Sequence, residues 1–314
     1  GEASGDTLGA ELAYAIRANH AADKIKLFGA GGPKMAKAGV EIELDLTQHA
    51  VVGIWEVLKN YRKFKNLFGR LLNLATAQKP DAIVLIDYPG FNLRFARAIR
   101  EHLREGAGAF GSWKPRLICY VSPQLWAWYE SRVHQITKDI DLVLTIFPFE
   151  KQWYAKRVPD FPVEFVGHPI VDRFPKPTSR TFPTATEEDL FSEKPLALLL
   201  PGSRERELAR HLPAILEAAR MMSTTRPVCF RMVLPNSELL DLAKNLIPAE
   251  MDLELTTGNL SSSLTEASVA IASSGTVTLE CAWFRIPTVV IYKTSPMTYW
   301  LGRMFIRVKH LAMP

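Results

Sequence analysis

Short apolar runs alternate with longer stretches of helical period along almost the whole chain, and no other feature restricts the possible folds as much. The first series is IKLFG (25–29), AIVLID (82–87), RLICYV (116–121), DLVLTI (141–146) and VEFVG (163–167). A second series follows with LALLL (196–200), VCFRMVL (228–234), DLELTT (252–257), SVAIA (268–272) and PTVVIY (287–292). Runs this short and this apolar are strands buried on both faces, and the stretches between them are crossover helices, so a parallel α/β fold is expected. Between the series, residues 173–194 are rich in Pro, Thr and charge and have no hydrophobic period, which reads as a linker. The expected organisation is two Rossmann-like domains facing across a cleft, 1–172 and 195–314.

Composition narrows the function classes. Of 314 residues, 47% are hydrophobic and 23% charged, the balance of a globular protein rather than a disordered one. A formal charge of +5 permits an anionic partner without saying which, nucleic acid being only one candidate. Cys119, Cys229 and Cys281 sit singly in apolar runs with no CxxC pair, as buried thiols in a reducing cytoplasm do. No apolar run reaches the roughly 20 residues that span a bilayer, so any membrane contact is expected to be peripheral. The histidines are scattered without ligand spacing, and Asp139-Ile140-Asp141 precedes its strand and so sits at the wrong end of a sheet for a site. Neither a metal nor a cofactor is expected.

Two motifs in the second half have the form of phosphate-binding loops. LALLLPGSRERE is a buried strand that breaks at Pro201-Gly202-Ser203-Arg204 and enters a helix. Such a loop lies at the carboxyl end of a parallel strand, where α/β sheets bind ligands, and the planar fork of Arg204 suits a diphosphate. AIASSGTVTLE repeats the arrangement: Ser273, Ser274 and Gly275 follow a strand and Thr276 starts a helix. Glu280 lies one turn further on the same face as Thr276, where a carboxylate can accept hydrogen bonds from ribose hydroxyls. Each motif alone is equally an ordinary capped turn; two on neighbouring strand ends point to a nucleotide.

In the first half, AIVLIDYPGFN ends an apolar strand with Asp87. A carboxylate at the ligand edge of a sheet is a candidate general base, or else an N-cap for the helix that follows. YVSPQLWAW places Ser122 and the aromatics Trp126 and Trp128 after another strand, as a sugar platform or as interdomain packing. His168 in FVGHP is a lone histidine before a proline, more often a hinge residue than a catalyst.

Residues 54–75 read as an amphipathic helix with an unusually wide apolar face. At 100° per residue, Ile54, Val57, Leu58, Tyr61, Phe64, Leu67, Phe68, Leu71, Leu72 and Leu74 cover about 200°, against the roughly 100° that a core stripe needs. Lys59, Arg62, Lys63 and Arg70 lie opposite. Such a helix either packs between two neighbours or lies in an anionic lipid interface, with Ile54, Val57, Leu58 and Leu72 as the expected membrane contacts.

The start of the chain, GEASGDTLGAEL, reads as a loop that becomes helical by Gly9. In a doubly wound sheet that loop follows the first, central strand, so an apolar strand is expected before Gly1 and further helices after Pro314. The chain is therefore expected to be truncated at both ends, and to aggregate or lack activity on its own.

Nine motifs in order, GEASGD, GAGGPKMAKAG, VVGIWEVL, IDYPGFN, YVSPQLWAW, PFE, FVGHP, LLPGSRERE and SSGTVTLE, resemble the lipid-A-disaccharide synthase family from Gly1 to Pro314. The resemblance implies a fold of the GT-B type and an inverting, metal-independent glycosyl transfer. The implied donor is UDP-2,3-diacylglucosamine, the acceptor 2,3-diacylglucosamine 1-phosphate, and the products lipid A disaccharide 1-phosphate and UDP. It further implies Asp87 as base; Arg204, Ser273, Ser274, Gly275, Thr276 and Glu280 on the donor; and Ser4, Asp6, Asn92, Ser122, Trp126, Arg132 and His168 on the acceptor. Tyr129 departs from the family, which commonly has arginine directly after WAW, and Arg132 is the residue expected to compensate. The implied location is the cytoplasmic membrane surface, on the inner face of a bacterial inner membrane; a homodimer is allowed, and no nucleic acid is implied as a partner. Two rivals share the nucleotide loops: a UDP-N-acetylglucosamine 2-epimerase, which handles no lipid, and a non-catalytic nucleotide-sugar-binding protein at the membrane, which would tolerate loss of Asp87.

Overall fold

The computed structural model describes residues 3–20, 25–45, 61–106, 113–127, 130–174 and 194–294. The chain divides into two units, Gly1–Pro169 and Ile170–Pro314.

In the second unit, α7 (Ile170–Arg173) precedes β7 (Leu196–Leu200), α8 (Glu205–Thr225), β8 (Cys229–Leu234) and α9 (Ser237–Leu246). There follow β9 (Glu254–Thr257), α10 (Leu260–Glu266), β10 (Val269–Ser273), α11 (Thr276–Trp283) and β11 (Thr288–Ile291). All strand pairs are parallel, in the order β11-β10-β7-β8-β9. The five-residue run of β7 explains the layering, because side chains alternate between the faces of a strand. Ala197 and Leu199 join a core with Leu208, Leu212 and Ile215 of α8, while Leu198 and Leu200 join another with Leu264, Cys281 and Phe284. A strand buried on both sides has no place for polar residues, which is why its sequence reads as continuous apolar. Phe174 packs edge-on against Phe284 at 5.3 Å, so the first residues of the expected linker belong to the second unit's core. The rest of that linker, 175–193, lies outside the described residues.

The first unit contains α1 (Ala3–Asn19), β1 (Phe28–Gly31), α2 (Pro33–Lys37), β2 (Glu41–Asp45), α3 (Tyr61–Gln78) and β3 (Ala82–Ile86). It continues with α4 (Pro89–Glu105), β4 (Arg116–Tyr120), a 3-10 turn (Glu130–Arg132), α5 (Val133–Asp139), β5 (Leu142–Thr145), α6 (Pro148–Ala155) and β6 (Val163–Phe165). Strands β3 to β6 form one parallel sheet in sequence order, and β1 and β2 form a separate parallel pair. The register aligns Leu85, Cys119 and Val143 in one row, and all three are buried in a core shared with α4 and α5. The opposite row starts at Val84, which is 37% exposed. Strand β2 escapes the sequence reading because EIELD alternates polar and apolar residues, the pattern of a half-covered strand.

Two sequence expectations change here. Helix α1 starts at Ala3 rather than near Gly9. Asp6 supplies the reason: its buried carboxylate accepts the N–H groups of Gly32, Lys34 and Met35 at 2.9–3.1 Å, which holds the first turn of α1 to the start of α2. Leu72, expected at a membrane, packs with Phe68 and Leu71 against the first-unit core instead. Phe68 meets Phe91 and Phe95 of α4 edge-on at 5.4 and 5.8 Å. A crossover helix must cover its own sheet, and that requirement absorbs the Leu72 side of the apolar arc. Ile54, Val57 and Leu58 lie outside the described residues.

Asp6→Ala should destabilise the first unit by about 2–3 kcal/mol, since it strands backbone donors that one carboxylate now satisfies. Asp6→Asn should cost less, because the amide retains one acceptor oxygen. Chemical denaturation of the variants measures both, and an unchanged midpoint for Asp6→Ala would exclude this role.

Candidate active site

The strand order of the second unit places β7 and β10 side by side with their crossovers leaving in opposite directions, which makes their carboxyl ends the topological switch point of the sheet. The register Val269↔Ala197 to Ala272↔Leu200 ends the two strands level with each other. The loops 201–204 and 273–276 therefore meet. A Cβ on Gly202 would stand 3.3 Å from Ser273 Oγ and 2.6 Å from Glu207 Oε2, and Gly202 has φ +127°, so only glycine fits between them.

The expected donor residues are thus brought together: Arg204 caps the start of α8, Ser273 is buried at the end of β10, Ser274 donates its N–H to the Ile291 carbonyl, and Gly275 caps α11, which begins at Thr276. Glu280 is half-buried, with the Arg173 guanidinium 3.7 Å away. Burial pushes its carboxyl above the usual range, and Arg173 partly opposes that shift.

Three neighbours escaped the sequence reading. Glu207 accepts both the Ser203 N–H and an Arg204 N–H at 3.1 Å, which sets the loop but also offsets the charge of Arg204. Its place three residues after the cap was the available signal. Arg173 falls at the first position of the expected linker, and His211 lies inside an ordinary helical period, so neither carried a local signal.

In the first unit the corresponding strand ends are strained. Asp87 and Tyr88, directly after β3, have φ of +51° and +42°, and Val121, directly after β4, has φ +67°. The left-handed region is unfavourable for non-glycine residues by about 1–2 kcal/mol each and is an outlier for a β-branched one. Asn92 holds the first bend by donating its amide to the Ile86 and Asp87 carbonyls at 3.0 and 2.6 Å. Asn92 was expected at the acceptor, and its amide is spent on the main chain. Asp87 does not occupy the N-cap of α4; that position is Tyr88, with no side-chain cap.

Behind this bend lies a buried network. Ser122 hydrogen-bonds Tyr154 at 3.0 Å, and Glu150 accepts the Phe147 N–H at 3.1 Å and the Trp126 Nε1–H at 3.3 Å. Burial drives the Glu150 carboxyl upward, against the pull of these two donors. The Cys119 thiol is pushed up to about 12 by burial and then by the charges of Asp87 and Glu150, so it is inert as a nucleophile. Trp126 meets Phe149 edge-on at 5.1 Å, Phe149 stacks on Phe147 at 5.8 Å, and Phe147 lies 5.8 Å from His168. The sequence showed Trp126 and His168 separately; Glu150 and the phenylalanines that join them were legible only as the unexplained PFE.

The remaining expected residues sit on other elements of the first unit. Ser4 and Asp6 are in the first turn of α1, where the Asp6 carboxylate is committed to three backbone N–H groups rather than to an acceptor. Arg132 ends the 3-10 turn before α5, and Trp128 and Tyr129 are outside the described residues. Asp141 accepts the Leu117 N–H and pairs with Arg100 at the opposite edge of the sheet. Among the described residues no three His, Cys, Asp or Glu side chains converge as a metal site would require.

Comparison with known proteins agrees with this geometry. The family model described as lipid-A-disaccharide synthetase matches residues 1–314. A lipid-A-disaccharide synthase of Coxiella burnetii is 36% identical over 313 residues, covering 100% of this chain and 79% of its own. One from Trichlorobacter lovleyi is 38% identical over 316 residues, covering 100% and 78%. Among solved structures, a UDP-GlcNAc 2-epimerase from Neisseria meningitidis bound to UDP-GlcNAc superposes with a TM-score of 0.55 at 12% identity, covering 95% of this chain and 84% of its own. The glycotransferase of kitacinnamycin gives 0.55 at 15% identity, covering 91% and 77%. At such identities the structures establish the fold, two Rossmann-like domains of the GT-B type, and nothing about the reaction. The sequence match over the full chain carries the assignment further: the protein belongs to the lipid-A-disaccharide synthetase family.

Proposed function

We propose that the chain transfers the diacylglucosamine unit of UDP-2,3-diacylglucosamine to 2,3-diacylglucosamine 1-phosphate in one inverting displacement, with Asp87 as base and the β7 and β10 loops on the UDP. The chain is a glycosyltransferase of lipid A biosynthesis. In the displacement, an acceptor hydroxyl oxygen bonds to the anomeric carbon as the bond from that carbon to the UDP oxygen breaks. The hydroxyl proton passes to the Asp87 carboxylate, and the negative charge that develops on the diphosphate is met by Arg204 and the start of α11. No covalent enzyme intermediate is required.

The observation that carries this reading is the left-handed pair Asp87-Tyr88, held by the Asn92 amide. Asp87 does not serve as the cap of the following helix, and strain of this kind recurs at functional sites. The aromatic rank from Trp126 to His168, fixed by Glu150, supports an acceptor-sugar platform with Ser122 behind it. Ser4 and Arg132 remain candidate acceptor contacts. On the donor side, the half-buried Glu280 carboxylate, with Arg173 as its counter-ion, supports ribose binding.

Both substrates carry acyl chains, which supports work at the cytoplasmic face of the inner membrane, with Ile54, Val57 and Leu58 as contacts. No helix among the described residues is long and apolar enough to cross a membrane. Leu58→Gln should lower co-sedimentation with anionic vesicles, and equal sedimentation would remove this surface from consideration.

Asp87→Ala should lower turnover by about 10²- to 10⁴-fold while UDP binding is retained. Mass spectrometry of the disaccharide product, with both acylated sugars supplied, reads the first, and calorimetry reads the second. Retention of most activity would exclude Asp87 as the base. Glu280→Ala should weaken UDP by about 1.5–3 kcal/mol, the range for hydrogen bonds to a charged group, and an unchanged titration would rule out the ribose contact.

A further inference from the structure

His211 lies early in α8, is 2% exposed, and has both ring nitrogens engaged. Nε2 is 3.1 Å from the backbone N–H of Lys293, and a peptide N–H can only donate, so Nε2 accepts and carries no proton. The proton of the neutral ring is therefore on Nδ1, which donates to the Pro201 carbonyl oxygen at 2.8 Å. Pro201 directly follows β7 and Lys293 follows β11, with β10 between those strands. One side chain thus ties together the segments that leave the first and third of three adjacent strand ends. The bond from the Ser274 N–H to the Ile291 carbonyl, at 3.2 Å, ties in the second.

We infer that His211 is a positioning residue for diphosphate binding, acting through the Pro201–Gly202 peptide. The C=O of Pro201 and the N–H of Gly202 belong to one rigid plane, so holding the oxygen also fixes the direction of the N–H. That plane opens the loop ending in Ser203 and Arg204, and Gly202, with φ +127° and no Cβ, offers little resistance of its own to rotation. Glu207 orients the far side of the same loop through the Ser203 N–H and Arg204. His211 and Glu207 hold its two ends, so the diphosphate meets a preformed loop and less ordering is lost on binding. This inference rests on the reading that residues 201–204 contact the diphosphate of UDP.

Two amide substitutions separate the ring's two bonds. In His211→Asn the side-chain N–H lies near the position of Nδ1 and can still reach Pro201, while the acceptor for Lys293 is lost. In His211→Gln the amide lies further out, near Nε2, and the Pro201 bond is lost. UDP titration should show His211→Asn within about twofold of the parent and His211→Gln weakened about five- to tenfold, the loss of one hydrogen bond. In His211→Gln, KM for the nucleotide sugar should rise while KM for the acceptor stays as in the parent. Unchanged UDP affinity in His211→Gln would overturn the inference. So would equal weakening in both variants in step with a lower Tm, which marks a packing role. Arg204→Ala, titrated alongside, separates the two levels. If it weakens UDP and His211→Gln does not, only the role of His211 fails; if it binds UDP as the parent does, the loop assignment fails and this inference with it.

Discussion

The parallel pairing of β7 with β10 is the constraint on which the rest of the second unit depends. Because the two strands end level with each other and their crossovers diverge, the loops at their carboxyl ends stand side by side. Two chain segments far apart in sequence, at Gly202 and Ser273, are thereby brought within van der Waals distance. Everything proposed about nucleotide binding follows from that approach. Gly202 is there because a side chain would collide with Glu207 and Ser273; Glu207 and His211 hold the loop that Gly202 leaves free to rotate. The apolar run LALLL secures the arrangement from below, with a separate core on each face of the strand.

The first unit solves a different problem. Its sheet ends in the edge proposed to carry the base, and there the backbone itself is forced, at Asp87, Tyr88 and Val121. The strain is tolerable because the surroundings over-determine it: Asn92 takes two carbonyls of the bend, Asp87 N–H bonds the Tyr120 carbonyl, and Leu85, Cys119 and Val143 anchor the strands below. Behind the bend, Glu150 spends a buried carboxylate on two donors, Trp126 and Phe147, that both touch Phe149. Burying a carboxylate is costly without such partners, and the arrangement makes the orientation of the aromatic rank part of the unit's stability.

The sequence was most legible where burial is two-sided and least where it is partial. LALLL appears at its true bounds, and nine further runs mark strands within a few residues, because a strand covered on both faces must be apolar throughout. EIELD passed unnoticed because one of its faces is polar. GEASGD was read as loop although α1 starts at Ala3; the buried Asp6, which caps the distant α2, is a tertiary contact that no local pattern announces. The wide apolar arc of residues 54–75 was ambiguous for the same reason, and the packing of Leu72 beside Phe68 resolves its own part of it. For the sites, loop residues such as Arg204, Gly275 and Asp87 stand out beside their strands. The residues that hold them do not: His211 and Glu150 lie inside helices and act across long sequence separations.

The central claim, that the β7 and β10 loops form the UDP site, is tested most directly by hydrogen–deuterium exchange of the chain with and without UDP. The account predicts slowed exchange at the amides of residues 201–208 and 273–280, with none at 82–92, because it assigns the Asp87 bend to the acceptor and not to UDP. Protection that spares either loop, or that falls chiefly on the Asp87 segment, would contradict it.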